Sequence, residues 1–164
     1  MILVYHLGSA DNDWVVQRNI DFLQRIKNNA IEGVVSTFTM TEAVSVIEEQ
    51  LANQRRRVPA AAERQQVLAR ITQLVNSLGL EVVDSDELVA IDEETGLFAR
   101  TQAVIDTTPP VQSPRDGKWT LLGGADAIHV ALAERAHADK LATFDKSIRP
   151  VQSSVSIEIL GDRP

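Results

Sequence analysis

Val16, Ile20, Leu23 and Ile26 recur with the spacing of one helix face and predict an amphipathic helix over about residues 13–28, closed by Asn28-Asn29. Residues 33–38 form a continuous run rich in β-branched side chains and predict a buried strand. Met40, Val44, Ile47 and Leu51 mark the apolar stripe of a second helix, which follows at once. Val67, Ile71, Leu74 and Leu78 mark a third, and Gly79 is placed to stop it. Residues 80–84 predict a strand, and residues 86–105 a helix interrupted near Gly96. The stretch from Thr107-Thr108-Pro109-Pro110 to Asp116-Gly117 has the composition of a loop. A helix is expected from GADAIHVALA (124–133) to about Ala138, then a strand over residues 140–144 and an alternating edge strand over residues 155–160.

Strands alternating with helices imply βαβ units and a mostly parallel sheet covered on both faces. The expectation is a single domain, residues 1–164, built as an α/β fold with a three-layer α/β/α sandwich. Open sheets of this kind bind ligands beyond the carboxyl ends of their strands. Composition adds a few limits. Cysteine is absent, so disulfides and thiolate metal sites are excluded. No leader and no bilayer-spanning run is read at either end or within, and a cytoplasmic protein is expected. The net charge of −7 argues against a non-specific nucleic-acid binder, which is usually basic. It is compatible with acids gathered around a cation, which inverts the local field.

Three acids stand where a post-strand site would need them. Glu42 follows the 33–38 strand in the first turn of its helix, Asp126 opens the GADAIHVALA helix, and Asp145 follows the 140–144 strand. Mg²⁺ and Mn²⁺ prefer such hard oxygen ligands, and a sheet can gather them from distant positions. Each acid also has a plain structural reading. Thr39-x-x-Glu42 is a capping-box pattern, Asp126 is an acceptable N-cap, and Asp145 can organise a turn.

Three stretches carry a family resemblance: VVSTFTMTEAV (34–44), GADAIHVALA (124–133) and DKLATFDKSI (139–148). The sequence resembles the PIN-domain family, most closely the VapC-like toxins of toxin–antitoxin pairs. The resemblance implies a PIN-like fold and a divalent-metal-dependent endoribonuclease, a hydrolase with Mg²⁺ or Mn²⁺ as cofactor. It implies that Glu42, Asp126 and Asp145 are the metal ligands and catalytic acids, with the Thr143 hydroxyl beside the last acid. It also implies an RNA substrate, an antitoxin protein as partner and homodimerisation.

The chain departs from the family at one place. Family members carry a first strand ending in D-T-N, whereas this sequence starts Met1-Ile2-Leu3-Val4-Tyr5-His6-Leu7-Gly8, a run that resembles the segment after D-T-N. A late start or a truncation, a degenerate member, and residues 1–6 serving as the first strand are three readings of this difference. The expectation is low or absent nuclease activity in this chain, and the competing reading is a PIN-like binding module without catalysis. A DNA nuclease on the same fold is a third. Arg55-Arg56-Arg57 is read as a solvated helix end rather than a phosphate contact. His129 is read as packing within the helix layer, and Trp119 as core or interface. No P-loop, dinucleotide fingerprint or serine elbow is present.

Overall fold

The structure is a computed structural model, and it describes residues 13–83, 96–112, 117–143, 148 and 150–160. It is mixed α/β, mainly helical, with short parallel strand pairs. The chain divides into two compact units, Met1–Val83 and Asp84–Pro164.

In the first unit, helix α1 (Asp13–Lys27) buries Leu23 and Ile26 against Leu78. It stops where the sequence says it should, because Asn29 takes the left-handed conformation at φ 54°. Strand β1 (Val34–Ser36) is shorter than the 33–38 run. Ser36 ends it: its Oγ accepts from the Thr39 amide at 3.1 Å and caps helix α2 (Thr37–Arg55), so Thr37 and Phe38 are already helical. Helix α3 (Ala61–Leu78) closes on Gly79, whose φ of 65° a side chain would disfavour. The Leu80 amide then reaches back to the Val75 carbonyl at 3.1 Å. Strand β2 (Glu81–Val83) pairs with β1 in parallel, with Val35 opposite Val82.

The core of this unit is the expected stripe against stripe. Val67, Ile71 and Val75 of α3 are buried with Val35 and Ala43, and Met40, Val44, Ile47 and Leu51 of α2 pack around them. Each large apolar side chain buried this way contributes roughly 1.5–3 kcal/mol relative to exposure.

In the second unit, helix α4 (Leu97–Thr107) starts just after Gly96, its N-cap. The part of the predicted 86–105 helix before residue 96 lies outside the described residues. Within the predicted loop residues 111–112 form a short strand, paired with residues 119–120 just after it, correcting the composition-based reading there. Strands β3 (Val111–Gln112) and β4 (Trp119–Thr120) pair antiparallel. Trp119 is not in the core: it is 63% exposed. Helix α5 (Gly124–Arg135) ends three residues earlier than read from sequence, at Arg135 rather than Ala138. The cause is local: His137 sits in the left-handed region at φ 52°, and the Ala138 amide bonds back to the Ala133 carbonyl at 3.0 Å.

Strands β5 (Lys140–Thr143) and β6 (Ser156–Ile159) pair in parallel, Thr143 opposite Ile159. The core here joins Val104 of α4, Leu122, Ala127 and Val130 of α5, Ile148 and Ile159, with Leu141 and Ile157 partly buried beside them. No described helix is long and apolar enough to cross a membrane.

Candidate functional site

Asp126 does not cap its helix, as one sequence reading had it. Gly123 is the N-cap, and Asp126 is the third residue of α5, in its first turn. There a carboxylate is favoured by the partial positive charge of the helix start, by about 0.3–1 kcal/mol. The side chain turns back toward the cap. A Cβ placed on Gly123 would come 3.2 Å from Asp126 Oδ2, a tight contact that a small shift of the carboxylate would relieve. A Cβ on Gly124 would meet nothing within 4 Å, which leaves the start of the helix open. Asp126 is half-buried, and the next residue, Ala127, is fully buried in the core.

Thr143 is the last residue of β5 and is buried. Helix α5 packs on β5, and only residues 136–139 connect them, so the chain returns along the length of the helix. The start of α5 and the carboxyl end of β5 therefore lie at the same end of the layer. The core agrees, because Ala127, next to Asp126, clusters with Ile159, the register partner of Thr143. Asp126 and Thr143 are thus brought to the carboxyl end of a parallel strand pair, the position at which α/β sheets bind ligands. Asp145 lies outside the described residues.

Glu42 belongs to the first unit. It is half-buried and lies in the second turn of α2, not the first, because the helix starts at Thr37 and its first turn holds no acid. The proposed Thr39–Glu42 capping box is replaced by the Ser36 cap. Among the described residues, no three His, Asp or Glu side chains form a group that could hold a metal ion. The donors at the carboxyl end of β5 are nonetheless oxygen donors, a carboxylate and a hydroxyl, the type that Mg²⁺ and Mn²⁺ take. His129 is half-buried on α5.

Two acids that sequence reasoning passed over organise the charged surface. Glu134, with only 8% of its side chain exposed, pairs with Arg100 of α4, which contacts both carboxylate oxygens, through Nη2 at 2.7 Å and through Nε. The Ser153 hydroxyl donates to Glu134 Oε1 at 2.7 Å and the Ser154 amide at 3.3 Å. The guanidinium bonds, seconded by the serine, hold the Glu134 carboxyl below its ordinary range against the opposing effect of burial. No spacing in the sequence links residues 100, 134 and 153. In the first unit, Glu63 receives Arg57 through two bonds of 2.7 and 2.8 Å, Arg55, and the Ala60 amide at 2.8 Å. These bonds, the Arg57 one foremost, lower the Glu63 carboxyl to about 2. Here a signal existed, an acid three residues past a helix start beside a basic cluster. The arginine triplet is a helix end, as read, but two of its three members are tied down by the following helix.

No family model, curated protein or solved structure matches the chain.

Proposed function

We propose that this chain is a PIN-like protein of the divalent-metal-dependent, toxin-type endoribonucleases, with Mg²⁺ or Mn²⁺ as its cofactor and with the low or absent nuclease activity expected from its departure from the family pattern. The reading includes a three-layer α/β/α sandwich, supported by the parallel pairing within β1–β2 and within β5–β6. The observation that carries it is the position of Asp126. Its carboxylate lies at an open helix start, at the carboxyl end of β5, with the buried Thr143 at that same strand end.

In this reading Asp126 and Asp145 hold the ion, and Glu42 is the third acid that the resemblance assigns. A bound divalent ion supplies a nucleophilic water at neutral pH and stabilises charge developing on the phosphodiester. Asp126 is half-buried beside the fully buried Ala127. The Thr143 hydroxyl orients water or a ligand carboxylate. An antitoxin peptide and a second copy of the chain are the proposed protein partners.

The test is calorimetric titration of Mn²⁺ into wild type and Asp126→Asn, with cleavage of single-stranded RNA followed in parallel. Binding in wild type that weakens at least about tenfold in the variant is expected, since one charged ligand is removed. Equal binding by both proteins refutes the metal site. Metal binding without RNA cleavage moves the chain to the class of binding modules.

A further inference from the structure

We draw no further inference here: the strongest candidate, the exposed apolar surface at β4, where Trp119 and Leu121 flank Thr120, has nothing in the structure to show what covers it.

Discussion

Glu134 receives a guanidinium from α4, and a hydroxyl and an amide from the segment before β6, while nearly all of its own surface is buried. Hydrogen bonds to a charged group are worth about 1.5–3 kcal/mol, and removing the charge leaves Arg100 facing a poorer acceptor. Glu134→Gln is therefore expected to lower stability by about 2 kcal/mol in urea denaturation. The pH dependence has a definite sign. The carboxyl titrates lower in the folded chain than its ordinary value of 4.5, so its stabilisation is complete above that value and is lost as pH falls toward the folded one. Wild type should lose stability faster than Glu134→Gln on acidification below about pH 4.5. Parallel stability curves for the two proteins over that range would contradict this account.

Among the elements, α3 shows how a helix divides its own residues. Ile71 is fully buried between the α2 stripe and its own neighbours, whereas Leu68, three residues earlier, is 52% exposed. Ile71→Ala should cost about 2–5 kcal/mol and Leu68→Ala well under 1 kcal/mol, read from the thermal or urea transition of each variant. Similar losses at both positions would mean that α3 packs on another face. The apolar stripes of α1, α2 and α3 were legible in the sequence because a helix face repeats every three or four residues, and Asn29 and Gly79 stop α1 and α3 by chemistry visible in the residue itself. The strand boundary at Ser36 was less legible. A serine after β-branched residues reads as strand until its hydroxyl is seen capping the next helix. The hairpin at Trp119 was hidden for another reason: two-residue strands have no period to detect, and tryptophan suggests burial by default.

For the whole molecule, what the sequence yields about a site depends on how far apart its members lie. Asp126 and Thr143 are separated by one helix and one short turn, so strand-end logic suffices to place them at one end of a layer. The network of Arg100, Glu134 and Ser153 joins two helices and the segment before β6, mostly through side chains, and nothing in a single sequence announces it.

The Glu63 clamp has a consequence for survival in a cell full of proteases. The link between α2 and α3 presents three consecutive arginines, with Arg56 in the left-handed conformation and exposed, an inviting sequence for a trypsin-like enzyme. Cleavage requires the segment to open into an extended strand in the protease cleft, and Arg55 and Arg57 must leave Glu63 for that to happen. The clamp thus works as a latch on the scissile bonds. Glu63→Gln should be nicked by trypsin at this link several-fold faster than wild type at equal folded fraction, seen as paired fragments on a gel. Equal nicking rates would mean that the link opens without disturbing the latch.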